Sequence, residues 1–220
     1  MTTSLYELSV PTFLQTVSAV TGFLDRAATH CLESGADPDD FVGALLFEDM
    51  SPFHFQIECV AHHSVWGLEA MKTGVFAPPA LVGSVPFAEL RAMICRAEVA
   101  LKALTPDDVN GWSGRTLDLL IGPRKLAFTS ETFFLSFSLP HFHFHAVTAY
   151  DILRTRGVPL GKHDYEGRLR TRPVGRSVGA ASCVAPAPPA GAAPAAAGPK
   201  GAVEQSSICG MMLPAVPSGQ

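Results

Sequence analysis

No apolar run in this 220-residue chain reaches the roughly 20 residues that a bilayer-spanning helix needs, and the N-terminus shows no charged-then-apolar leader. A soluble, cytoplasmic protein with no membrane partner is therefore expected. Basic blocks are also missing up to about residue 167, and the net charge is −4 at pH 7, which argues against nucleic acid as a partner. Arg168, Arg170, Arg172 and Arg176 form a short basic patch beyond that point, read as solvated surface. The five cysteines (Cys31, Cys59, Cys95, Cys183 and Cys209) are odd in number and lack metal-type spacing. Cys31, Cys59 and Cys95 fall in apolar helical patterns, as buried thiols of a reducing compartment do. There is no G-x-S-x-G, no phosphate-binding glycine loop and no dinucleotide fingerprint, which removes the chemistries those motifs carry. No internal repeat is visible.

What is present is helical periodicity followed by a change of composition. Val10, Phe13, Leu14, Val17, Val20, Phe23, Leu24 and Ala27 predict a first helix over Ser4–Ser34, ended by Gly35. Pro11 stands near its start or marks its true first turn. Asp37-Pro38-Asp39-Asp40 is a second start signal for a short turn. A second long helix runs from Ser51 or Pro52 to Lys72, with Phe53, Ile57, Val60, Ser64 and Leu68 as its apolar stripe. Asp49, Gln56 and His63 are spaced by seven, on nearly one line down that helix. A proline-rich connection, Val75–Pro86, leads to a third helix ending at Leu104, and Thr105-Pro106-Asp107-Asp108 starts a short turn. Leu117, Leu119 and Ile121 alternate before Gly122-Pro123, which reads as a small β-hairpin or an irregular loop over Thr116–Thr129. A fourth helix is predicted over Ser130–Arg156, capped by Ser130, with Gly157–Lys162 packing back on the bundle. From about residue 168, Ala, Pro, Gly and Ser dominate. Residues 168–220 are expected to be a disordered tail, apart from a weak docking of Ile208–Leu213.

The stretch Leu139–Tyr150, Leu-Pro-His-Phe-His-Phe-His-Ala-Val-Thr-Ala-Tyr, decides the function. As a strand it would put His141, His143 and His145 on one face. As a helix, the favoured reading, it puts His141 and His145 one turn apart, with His143 on the other side. Pro140 removes a backbone hydrogen bond inside that helix and is expected to kink it, either to open a pocket or for plain packing.

Several blocks carry a resemblance. They are Ser4–Phe13 (Ser-Leu-Tyr-Glu-Leu-Ser-Val-Pro-Thr-Phe), Asp49-Met50-Ser51-Pro52-Phe53 with Gln56-Ile57, Leu139–His145, Ala149–Arg154 and Gly157–Lys162. With four amphipathic helices and a hairpin before the last, the chain resembles the DinB-like (DinB/YfiT) superfamily, in its uncharacterised branch from bacteria and fungi, over about residues 4–167. The resemblance implies an all-α, up-down four-helix bundle over 1–167. It also implies a divalent metal held by His63 (or His62) and the His141/His145 pair, with thiol transfer or thiol-dependent isomerisation as the known activities.

From the residues themselves, three imidazoles on two facing helices suit zinc, nickel or iron, with Asp49 or Gln56 orienting a ligand. The same His63, His141 and His145 also read as satisfied core or rim histidines. A third reading, the one favoured at this point, is metal-free proton transfer of the isomerase or dehydratase type. There one neutral and one protonated imidazole act on an enolisable aromatic or polyketide-like molecule, and Asp49 fixes the tautomer. No cofactor is certain. An apolar small-molecule substrate and a homodimer formed through the helices are the expected partners, with a non-catalytic ligand-binding bundle as the remaining alternative. His30, His54, His62 and His163 are expected at the surface, His143 in packing or an interface, and Cys59, one turn before His63, is the cysteine of interest.

Overall fold

The computed structural model describes residues 3–78 and 80–171. All but the first few residues of the expected tail, including Ile208–Leu213, Cys183 and Cys209, lie outside the described residues. Helix α1 (Leu5–Ser34) opens with Ser4 Oγ accepting the Glu7 N–H and closes at Gly35, whose φ of +73° suits a residue without Cβ. Pro11 therefore sits inside α1, in its second turn. A 3₁₀ turn, Pro38–Phe41, is capped by Asp37 as its sequence implies.

The second long helix is split. Helix α2 (Phe53–Ala61) passes through a π-turn, His62–Trp66, into α3 (Gly67–Thr73). The apolar stripe predicted for it is buried throughout. Strand β1 (Val75–Phe76) follows, in a segment read from sequence as mere connection. Helices α4 (Phe87–Lys102) and α5 (Pro106–Asn110) come next, the latter capped by Thr105. Strands β2 (Thr116–Ile121) and β3 (Arg124–Thr129) form the hairpin, in register from Thr116↔Thr129 to Ile121↔Arg124, and β1 adds to β2 in parallel through Val75↔Asp118 and Phe76↔Leu119. The third strand was not legible because two residues carry no period.

The last long helix begins at Ser130, as its sequence suggests, but its cap lies one residue earlier. Thr129, not Ser130, is the cap of α6 (Ser130–Phe133), exchanging hydrogen bonds with Thr132. Ser130 instead donates to the buried Trp112 carbonyl at 2.8 Å. A second π-turn, Phe134–Ser138, leads into α7 (Leu139–Thr155), and α8 (Lys162–Glu166) follows. Pro140 falls within the first two residues of α7, directly after the π-turn, where a missing N–H does least harm. Val158 and Leu160 are buried, so Gly157–Lys162 does fold back.

The result is a four-helix bundle in which α2 packs on α7 and α4, and α1 packs on α4, α7 and α8. Phenylalanines fill its centre: Phe13 meets Phe142 edge-on at 4.7 Å and Phe134 at 5.4 Å, and Phe53 stacks on Phe87 at 6.1 Å. Each such ring is worth about 1.5–3 kcal/mol when removed from water. No described helix is long and apolar enough to cross a membrane.

Candidate functional site

Three imidazoles from two helices meet between the two π-turns. His63, in the first π-turn, has its ring centroid 5.2 Å from His141 and 5.8 Å from His145, both on α7. The H-x-x-x-H spacing on α7 presents both rings toward His63, as expected for one face of a helix. Aromatic rings wall the cluster. Phe76 from β1 lies on His63 at 5.9 Å, Phe137 contacts His141 at 4.3 Å and His63 at 5.7 Å, and Phe55 and Phe144 meet His145 edge-on. The short strand β1 lays Phe76 over His63.

Two of the three tautomers follow from their partners. His141 Nδ1 lies 2.7 Å from the Phe137 carbonyl oxygen, which can only accept, so Nδ1 carries a proton and donates it. His145 Nδ1 lies 2.7 Å from Gln56 Oε1. The Gln56 amide nitrogen donates to the Ser51 carbonyl at 2.8 Å, which fixes its orientation and makes His145 Nδ1 the donor as well. His63 differs: its Nδ1 is buried with no hydrogen-bond partner, alone in this among the buried side-chain atoms of the described residues. Such an orphan costs about 1–3 kcal/mol. Burial, then the neighbouring His145, His141 and His62, push the His63 pKa down to about 3. Burial, then His141, push that of His145 down to about 4. Both rings are neutral at pH 7.

Other sequence candidates fall elsewhere. Asp49 is exposed in the loop ahead of α2, so the line Asp49–Gln56–His63 breaks where the helix begins. Gln56, 2% exposed, holds the tautomer instead. His62 is half-buried and turned onto Trp66, at 5.1 Å. His143 packs as expected, its Nδ1 3.0 Å from the Tyr165 hydroxyl. His163 is exposed, whereas His54, read as a surface residue, is half-buried against Glu58 at 3.3 Å. Cys31 and Cys59 are buried thiols, while Cys95 is only half-buried. Sequence reasoning missed Ser138, wholly buried, whose hydroxyl donates to the His63 carbonyl at 2.7 Å. Its only sequence signal was a serine two residues before a proline in a helix. It also missed Glu58, whose place among Ile57, Cys59 and Val60 marked a carboxylate in an apolar run.

The donor chemistry fits a divalent ion: three imidazoles, two with Nδ1–H held by acceptors in the pattern that orients metal ligands, and an unpartnered nitrogen on the third. As they stand, no three His, Cys, Asp or Glu side chains among the described residues are arranged to hold one. Two shallow grooves near the cluster, of about 270 and 380 Å³, are lined around Val65 and Trp66 and not by the three histidines.

The architecture is that of the DinB-like bundles. It is similar to the crystal structure of a DinB family member from Shewanella denitrificans, with a TM-score of 0.65 and 24% identity over 76% of this chain and 94% of that one, a likeness that shows the fold. Residues 5–166 match a family described as a domain of unknown function, DUF1993, and the chain belongs to that family. No curated protein matches it.

Proposed function

We propose that His63, His141 and His145 are the ligands of a divalent metal centre, zinc, nickel or iron, in an enzyme acting on a small apolar molecule. The observation that carries this reading is the pairing of two tautomer-locked rings, His141 on Phe137 and His145 on Gln56, with the orphaned His63 Nδ1. A buried nitrogen without a partner costs stability, and an ion that accepts its lone pair removes that cost. Loading has to draw the ring nitrogens onto a common point from their present spacing. The bound ion would act as a Lewis acid on a substrate oxygen or thiol. The chain's own contribution is to keep His63 and His145 neutral by burial, to orient His141 and His145 through acceptors, and to wall the cluster with Phe55, Phe76 and Phe137. Thiol transfer is the finer form of this reading, drawn from the DinB-like resemblance.

The metal-free isomerase reading rests on His145 with Gln56, which has the form of a neutral base with its tautomer held. Burial disfavours a cationic imidazole at His63 or His145, the acid half of that scheme. Elemental analysis of the purified protein, followed by zinc and nickel titration, separates the two. One ion per chain, lost in His63→Ala and His145→Ala, supports the metal centre. No uptake by the wild type beyond that of those variants sinks it, and turnover of an enolisable substrate that survives chelation but not His145→Ala then favours proton transfer. The tail over 168–220 and a homodimer are further proposals, checked by limited proteolysis and by sedimentation.

A further inference from the structure

Both helices that supply imidazoles carry a π-turn, and the two π-turns touch. In the first, the Gly67 N–H reaches back five residues to the His62 carbonyl and so passes over the His63 carbonyl. In the second, the Leu139 N–H reaches back to the Phe134 carbonyl. A π-turn is a poor structure in isolation, because the widened turn leaves a carbonyl without its helical donor. Here that carbonyl, His63, receives the Ser138 hydroxyl across the helix interface at 2.7 Å, with Ser138 fully buried. Directly beside it, a Cβ on Gly67 would stand 2.5 Å from Ser138 Oγ, closer than real Cβ contacts come. Serine and glycine therefore interlock: the missing side chain at 67 is the notch into which the hydroxyl at 138 reaches.

We infer that Ser138, seated in the notch at Gly67, is a positioning residue that sets the approach of His63 to His141 and His145. This rests on the reading of the cluster as the functional site. Two links lead from the interlock to the rings. Ser138 holds the backbone of His63 itself, and the same π-turn contributes Phe137, whose carbonyl fixes the His141 tautomer and whose ring lies against both His63 and His141. Without the hydroxyl, the His63 carbonyl is a buried acceptor with no donor, and the first π-turn is free to rewind toward α-helical pairing. Rewinding by one residue rotates His63 by about 100° and carries its ring away from α7.

The experiment compares full-length wild type, Ser138→Ala and Gly67→Ala/Ser138→Ala, metal-free, by histidine ring NMR contacts, and then titrates each with zinc alone. A Cβ at 67 stands 3.5 Å from Ser138 Cβ, an ordinary contact, so the double variant fills the vacated space and remains foldable if the single one is not. The expected result is loss of the His63–His141 ring contact in both variants, with zinc affinity lower by about tenfold or more, the scale seen when a partner orienting a ligand is removed. If the wild type takes up no zinc, the metal reading fails, and the ring contact alone decides: lost in the variants it supports the positioning role, kept it overturns it. Variants that melt earlier but keep both the ring contact and the zinc affinity show Ser138 to be structural only, which also overturns the inference.

Discussion

The second long helix, α2 with the π-turn that follows it, buries polar groups on two sides, and the two are completed differently. On one, Glu58 is 0% exposed, yet its carboxylate accepts the Val82 N–H at 2.8 Å and pairs with His54 at 3.3 Å. On the other, Gln56 serves His145 and Ser138 serves the His63 carbonyl, but His63 Nδ1 is left with nothing. Glu58 ties the proline-rich connection between β1 and α4 to the bundle, and every atom it offers is used. A polar group that holds a fold together is closed within the protein. One that stays open beside two further imidazoles is costly to the fold, and in the metal reading proposed above an ion offsets that cost.

The largest expected contrast comes from His63→Leu. It should abolish zinc binding, a fall of about 100-fold or more, while leaving the metal-free protein as stable as wild type or more so, because an orphaned polar atom goes and an apolar one arrives. Zinc titration and chemical denaturation of the same sample check both halves, and a clear loss of metal-free stability would place His63 among the groups that hold the fold.

Glu58→Ala should do the reverse. Removing it orphans the buried Val82 N–H and unpairs His54, costing about 2–4 kcal/mol of unfolding free energy, with zinc affinity little changed. Urea denaturation reads the first and titration the second. A collapse of metal affinity at wild-type stability would erase the distinction between the two sides.

Gln56→Ala sharpens the comparison from the site side. It frees His145 Nδ1 and should weaken zinc binding by about tenfold, with the His145 ring sampling both tautomers in ring nitrogen NMR. Unchanged affinity with a still-fixed tautomer would mean that the Phe55 and Phe144 contacts alone orient the ring.

Much of this was legible from residues alone. The bundle could be read because long 3.6-residue periods between Gly35, Gly74 and Gly157 leave little choice, and the hairpin because Leu117, Leu119 and Ile121 alternate. His141 and His145 were legible as a pair because they lie four apart on one helix, whereas their partner came from the DinB-like resemblance, which left His62 open beside His63. The π-turns were not, since nothing in His62–Trp66 or Phe134–Ser138 departs from an ordinary helical pattern; the break is created by packing between the helices. For the same reason Asp49 was credited with a role that belongs to Gln56: spacing by seven places residues on one line only as far as the helix extends, and α2 starts at Phe53. Ser138 and Glu58 were illegible because their meaning lies in backbone groups far along the chain, at His63 and Val82.

The smallest effect concerns acid. Burial holds the pKa of His63 at about 3 and that of His145 at about 4 in the folded, metal-free protein, against about 6.5 in the unfolded chain. A base whose folded pKa is depressed binds fewer protons folded than unfolded across the window between the two values. Stability must therefore fall as pH drops below about 6.5, and level off only near the folded values. Between pH 6.5 and 5.5 each ring should cost about 1 kcal/mol. In denaturant titrations of metal-free protein at a series of pH values, His63→Leu should remove about 1 kcal/mol of the fall between pH 6.5 and 5.5. A slope untouched by His63→Leu would show that the protons are taken up elsewhere, and that the cluster is less buried in solution than its contacts with Phe76 and Phe137 require.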